Sequence, residues 1–289
     1  MNAISTDTPA SDYHADTGHS GRIYLSNSIA KILLNQSPKH AWIAHPRLNP
    51  HWQPSDDTKF SIGTAAHALL LEGDAAKVCV IDADDWRTKA AKEQRDEAYK
   101  NRLTPILRKH NAAVVRMVDA AKAFIAQTEI AGIFERGKPE LTMRWQEGEL
   151  WFKSRPDFFT DDGRIMLDYK TTEDASPDNF SRQISRMGYD FQAEFYKRGA
   201  AANGYEDVTF LILAQETEYP HACSLHAIHP ALQEYARMRV ERAIAIWRDC
   251  LTRNHWPAYP TQTCMATPTN WQLAEIERMI NETGDSNGI

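Results

Sequence analysis

The stretch Ile165-Met166-Leu167-Asp168-Tyr169-Lys170-Thr171-Thr172 is an apolar run that ends in two charges, and it constrains the fold more than any other. Its first residues read as a short buried strand. Residues two apart on a strand share a face, so Asp168 and Lys170 project together while Tyr169 faces away. Charge placed where burial is expected needs partners or a metal ion. Upstream, residues 150–159 read as a partner strand, and Thr160-Asp161-Asp162-Gly163 supplies the turn between them. Such a hairpin brings Asp157 beside Asp168. Two carboxylates and one ammonium on one sheet surface suit a divalent-metal phosphodiesterase. The competing reading is an ordinary ion pair on an exposed strand.

Other candidates are ambiguous by themselves. His67 sits within a helix at residues 62–72, among Ala65, Ala66, Ala68, Leu69 and Leu70, where a lone histidine is by default a satisfied core residue. Gln192 and Tyr196 are four apart and share a helix face, which alone means almost nothing. Glu140 opens an expected strand at residues 139–145.

Taken together, Arg155-Pro156-Asp157, Leu167-Asp168-Tyr169-Lys170-Thr171-Thr172, Gln192 and Tyr196 resemble the PD-(D/E)xK nucleases of the RecB type. Within that superfamily the chain is most similar to RecE-type exonucleases (exodeoxyribonuclease VIII) of phage and prophage recombination. Tyr13-His14, residues 25–41 with Ser37-Pro38, Ile62-Gly63-Thr64-Ala65-Ala66-His67 and Trp256-Pro257-Ala258 extend the resemblance over residues 12–275, in the family's order.

The resemblance implies an α/β restriction-endonuclease-like core, a central mixed β-sheet flanked by helices, with N-terminal helical additions. It makes His67, Asp157 and Asp168 ligands of Mg²⁺ (or Mn²⁺), with the backbone carbonyl of Tyr169 as a further ligand. Lys170 would position or deprotonate the attacking water and stabilise charge on the phosphoryl group. Glu140 occupies the place of a family glutamate that orients water or Lys170; a rim salt bridge is the equal alternative. Gln192 and Tyr196 match the motif that positions the DNA end and the lysine. Arg155, Thr171 and Thr172 are candidate DNA contacts, the hydroxyls through phosphate hydrogen bonds. The family digests linear double-stranded DNA from 5′ ends and leaves 3′ single strands. It works with a RecT-type single-strand-annealing protein and assembles as rings, which gives an expected homo-oligomeric trimer or tetramer. Another PD-(D/E)xK activity, on single strands or as an endonuclease, and a catalytically dead DNA-end-binding module are the competing classes.

Length and composition bound the rest. The chain has 289 residues, and no Gly/Ser/Pro-rich linker divides it. The expectation is a flexible segment at 1–22, one domain over 23–280 and a flexible tail at 281–289. No apolar run approaches a membrane span and the polar N-terminus is no secretory signal, so the expected setting is the bacterial cytosol. Cys79, Cys223, Cys250 and Cys264 form no Cys-x-x-Cys pair, which reads as free thiols and argues against the iron–sulfur cluster of some relatives. A net charge of −6 confines any DNA-facing surface to a local cleft or channel.

Ser26 or Ser28 caps a helix through Asn35, and Ser37-Pro38 starts a second. Ser61 caps the His67 helix, which Gly73 ends. Residues 77–82 read as a strand, and 85–127 as a helical region broken at Thr104-Pro105. Its basic residues Arg87, Lys89, Lys92, Arg95, Lys100, Arg102, Arg108 and Lys109 are either a solvated face or a contact for DNA backbone or a subunit. Helices at 177–186 and 187–202, strands at 208–214 and 223–228, and helices at 234–253 and 270–280 complete the pattern.

Overall fold

The computed structural model describes residues 2–5, 8–16, 21–53, 62–73, 78–101 and 103–285. Two compact units are present, Met1–Trp256 and Pro257–Ile289. In the first, the chain begins β1 (Ala3–Ser5), α1 (Ala10–Ala15), β2 (Tyr24–Ser26), α2 (Asn27–Asn35), α3 (Pro38–Ala44) and α4 (Ile62–Glu72). It continues β3 (Val78–Ile81), α5 (Lys89–Lys100), β4 (Thr104–Leu107) and α6 (Arg108–Ile125). Then come β5 (Gly137–Pro139), β6 (Thr142–Glu147), β7 (Leu150–Ser154), β8 (Phe158–Thr160) and β9 (Ile165–Thr172). The unit closes with α7 (Pro177–Met187), α8 (Tyr189–Ala202), β10 (Thr209–Glu216), β11 (Cys223–Ala227) and α9 (Pro230–Arg253). The second unit carries α10 (Asn270–Asp285), where the Thr269 hydroxyl accepts from the Gln272 N–H.

The central sheet is mixed, in the order β11-β10-β9-β8-β5, with β9 parallel to β10 and the other pairs antiparallel. Strand alternation divides its side chains between two cores. Met166, Phe210, Ile212 and Ala214 join one with Phe191 and Phe195 of α8 and Trp247 of α9. Leu167, Tyr169, Leu211 and Leu213 join the other with Ala65, Ala66 and Leu70 of α4 and Met117 of α6. This is the expected central sheet between helical layers. A second sheet, β1-β6-β7-β2, adds Trp145, stacked on Phe152 at 5.2 Å, to the first core.

The expected strands at 139–145 and 150–159 are each cut in two. Residues 137–139 and 158–160 pair in the central sheet, whereas 142–147 and 150–154 pair in the second. The cuts face one another: the Glu140 N–H donates to the Asp157 carbonyl at 2.9 Å, and Glu140 has φ +54°. Pro156 has no N–H to give a ladder, so a straight strand cannot run through it. Thr104-Pro105 is likewise no simple helix break. Its residues form β4, parallel to β3, because the residue before a proline is driven to extended backbone.

The N-terminal segment, expected to be flexible, contributes β1, which pairs with β6, and Tyr13, which is buried. A buried ion pair between Asp16 and Lys153 ties its end to β7. Helix starts match their sequence signals: the Ser26 and Ser37 hydroxyls accept from the Ile29 and His40 amides, both at 3.4 Å. The expected Ser61 cap, the start of the strand at Lys77, Arg102 and residues 286–289 of the tail lie outside the described residues.

Helix α8 lies close on the second sheet at Gly199, where an added Cβ would stand 2.7 Å from the Trp145 ring and 3.0 Å from the Ser154 hydroxyl. Trp145 is fully buried and has no room to yield. Gly199→Ala is therefore expected to destabilise the fold. Overpacking of ~1–3 kcal/mol outweighs a helix-propensity gain of ~1 kcal/mol. A urea unfolding midpoint equal to that of the unaltered protein would refute this packing account.

Candidate active site

The antiparallel register Phe158↔Leu167 carries Asp157 alongside Asp168 at the point where β7 gives way to β8. The Asp157 Oδ2 accepts the Tyr169 N–H at 2.8 Å. Asp168 and Lys170 project to one face of β9, as alternation requires, and their charged groups form a close ion pair. Tyr169 points to the opposite face, where its hydroxyl donates to Gln215. On α8, Gln192 Nε2 donates to Asp168 Oδ1 at 2.8 Å. Tyr196, one turn further along, is buried, and burial holds its phenol well above the usual range.

His67 reaches the carboxylates from α4, the helix packed on the other face of the central sheet. Its Nε2 lies 3.2 Å from Asp157 Oδ2 and 3.8 Å from Glu140 Oε1. The helix can come this close because residue 63, one turn before His67, is glycine. A Cβ there would sit 2.4 Å from the Thr171 hydroxyl of β9. The expected small-residue helix against the sheet is thus observed, and His67 is no core histidine.

Burial and mutual charge set the electrostatics. Asp168 is fully buried, and its carboxyl is pushed up to about 6 by desolvation and by the Asp157 charge, against the pull of Lys170. Asp157 is also desolvated, but Lys170 and His67 outweigh this and hold it below the usual carboxylate range. Burial disfavours the Lys170 ammonium, yet Asp168 and Asp157 raise its pKa above the ordinary value. The same contest raises His67: desolvation opposes the charge, and Asp157 and Glu140 prevail.

His67, Glu140 and Asp157 offer ligand atoms that all lie within 4.8 Å of one another. One imidazole and two carboxylates are a donor set suited to a hard divalent cation. Glu140, given the role of orienting water, therefore stands among the possible ligands. Asp168, expected as a ligand, has its oxygens engaged by Lys170 and Gln192. Arg155, expected at DNA, turns inward: it pairs with Glu140 and donates to the Thr8 carbonyl and the Thr142 hydroxyl at 2.7 and 2.8 Å. Thr172 is engaged with Asp174 and Gln183, while Thr171 lines the shallow concavity beside Gly63 and His67.

A cleft of about 400 Å³ opens over Asp157, Lys170, Gln192 and Tyr196. Two of its residues carried no recognised sequence signal. Tyr189 lies under the Lys170 ammonium, 5.4 Å from ring centre to Nζ. Lys31 lines the same cleft and donates to the Met187 carbonyl at 3.2 Å. The basic stretch on either side of β4 is partly spent on neighbours: Arg87 pairs with Asp85, Lys89 with Glu93, Arg95 with Asp96 and Arg108 with Asp82. No helix among the described residues is long and apolar enough to cross a membrane.

A mixed sheet with an acidic pair and a lysine at the end of its central strand defines a restriction-endonuclease-like core of the PD-(D/E)xK superfamily. Residues 26–267 match the family described as "PDDEXK-like domain of unknown function (DUF3799)", and the chain belongs to that family. A search of curated proteins found no match. Among solved structures, one from Eubacterium rectale described as "Putative exonuclease" superposes with a TM-score of 0.57 at 13% identity, covering 92% of this chain and 97% of that one. A phage related exonuclease from Haemophilus somnus 129PT matches with a TM-score of 0.31 at 12% identity, covering 68% of this chain and 97% of that one. The first likeness bears out the fold.

A proton and a metal ion compete for the His67 imidazole. Its raised pKa adds stability to the metal-free protein at low pH, and that contribution is lost as pH rises through the folded value. Metal binding runs the other way. Mg²⁺ or Mn²⁺ should therefore raise the Tm, by more at pH 8 than at pH 6, and Asp157→Asn should remove the shift. Calorimetric scans with no metal-dependent shift at either pH would eliminate this cluster as a cation site.

Proposed function

We propose that this protein is a divalent-metal-dependent exodeoxyribonuclease of the RecE type, acting on linear double-stranded DNA from 5′ ends and leaving 3′ single strands. What supports the reading is the meeting of Asp157, Asp168, Lys170, His67 and Glu140 from four separate segments, with Asp157, Lys170 and Glu140 lining the cleft, His67 against Asp157 and Asp168 against Lys170. The resemblance of the sequence to RecE-type enzymes supports the polarity. It also supports a RecT-type annealing partner, a ring of three or four copies and action in the bacterial cytosol.

His67, Asp157 and Asp168, with the Tyr169 carbonyl and with Glu140 as a further donor, would hold Mg²⁺ or Mn²⁺. When bound, such an ion acts as a Lewis acid on the phosphoryl oxygens and lowers the pKa of water. The protein's own residues do the positioning. Gln192 fixes the Asp168 carboxylate, and Arg155 fixes Glu140. Lys170, with a raised pKa, is an ammonium, so it orients the attacking water and offsets charge growing on the phosphate rather than taking a proton. Tyr189 and Tyr196 give the cleft apolar walls with hydroxyl ends.

An inert binding module would lack a reason to bring these groups together, and cleavage excludes it. The assay compares linear duplex labelled at the 5′ or the 3′ end, single strands and closed circles, with Mg²⁺ and with chelator. The 5′ label should be released first from linear duplex, only with metal, while circles survive. Asp168→Ala and Lys170→Ala should each lower the rate by at least ~10²-fold, the first by removing a carboxylate that would hold the metal and the second by removing the ammonium aimed at the charge developing in the transition state. Cleavage of closed circles would replace the exonuclease reading with an endonuclease. A wild-type chain inert on all four substrates would end it.

A further inference from the structure

The catalytic cleft has a larger neighbour, a groove of about 890 Å³ beside α2 and α3. The two share Tyr13, His14 and Ser28 as a common wall. Phosphodiester hydrolysis needs charged and polar surface, and it leaves this groove unexplained: Ile29, Ile32, Ile43, Tyr24 and Trp52 give it a largely apolar lining. The one lysine or arginine lining it among the described residues, Lys153, is nearly fully buried and already neutralised by Asp16. His14 and His45 are both shifted toward the uncharged imidazole, chiefly by burial. An anionic phosphate would find no free lysine or arginine among the described residues of that lining. A flat, uncharged group with polar edges would find apolar faces, an indole at the rim and neutral imidazoles within reach. The volume falls in the range of pockets that enclose an organic ligand, ~300–1,000 Å³.

We propose that this groove seats unpaired nucleobases of the substrate strand while its backbone lies in the adjoining catalytic cleft. The inference rests on the proposed nuclease reading, since that cleft supplies the strand. Its chemistry is that of aromatic and apolar stacking, which tolerates any base sequence. Ile43 is half exposed, so a larger side chain there can fill the groove without disturbing a core.

The test is binding of the metal-free full chain to a fluorescein-labelled single-stranded 12-mer, read by anisotropy. Two further oligonucleotides carry abasic residues in place of three terminal nucleotides, at the 5′ or the 3′ end. Phosphates are the same in all three. One abasic oligonucleotide should bind about tenfold more weakly or worse, the loss of one stacked base or more. Ile43→Trp and Trp52→Ala, each checked for an unchanged Tm, should bind all three alike. Equal binding of all three by the unaltered protein would overturn the proposal, as would undiminished discrimination in both variants. A groove occupied by a second copy of the chain would give no discrimination and a sedimentation coefficient altered by Ile43→Trp, which overturns it too. Because no cleavage is involved, failure here leaves the nuclease assay untouched, and a chain that discriminates without cutting DNA would fail only the nuclease reading.

Discussion

The site depends on one paired interruption of the ladder: the hydrogen bond from the Glu140 N–H to the Asp157 carbonyl, at the point where two neighbouring strands break together. Before the break the ribbon belongs to the second sheet, and after it to the central one. An unbroken pair would alternate its side chains regularly between the two faces. Broken there, it presents Glu140 and Asp157 next to one another, and within reach of a histidine from a helix on the far face. Pro156 makes the break obligatory on one strand, and the left-handed backbone of Glu140 accommodates it on the other.

Electrostatics then explains why so much polar machinery surrounds so few acids. Three carboxylates crowd a partly desolvated cleft, and each extra negative charge raises the cost of the next. Lys170, Gln192, His67 and Arg155 offset that cost without metal. Asp168 remains the residue held least comfortably as an anion, because it is fully buried beside the Asp157 charge. Arg155 illustrates a residue whose charge suggested substrate contact but whose geometry makes it a brace for Glu140.

Much of the site was legible in the chain because it rests on local rules. Alternation on β9 put Asp168 and Lys170 on one face and Tyr169 on the other, and that is what is found. Helical spacing put Gln192 and Tyr196 on one face of α8, with Gln192 bonded to Asp168. Where the reading missed, long-range pairing decided. Periodicity cannot tell one ten-residue strand from two short ones in different sheets, because which strands each half pairs with is not written in the local pattern. Nor could composition reveal that the polar N-terminus pairs with β6, or that residues 104–107 leave a helical region to run beside β3.

The sequence by itself determined which residues are chemically equipped and which of them share an element, since strand and helix periods are properties of the backbone. Only the tertiary structure decided which elements meet. The approach of α4 that delivers His67 depends on a missing Cβ at Gly63 opposite Thr171, two residues more than a hundred positions apart. The roles of Glu140 and Arg155, the reach of Lys31 into the cleft and the apolar groove behind Tyr13 arise in the same way, from packing between segments that no local rule connects.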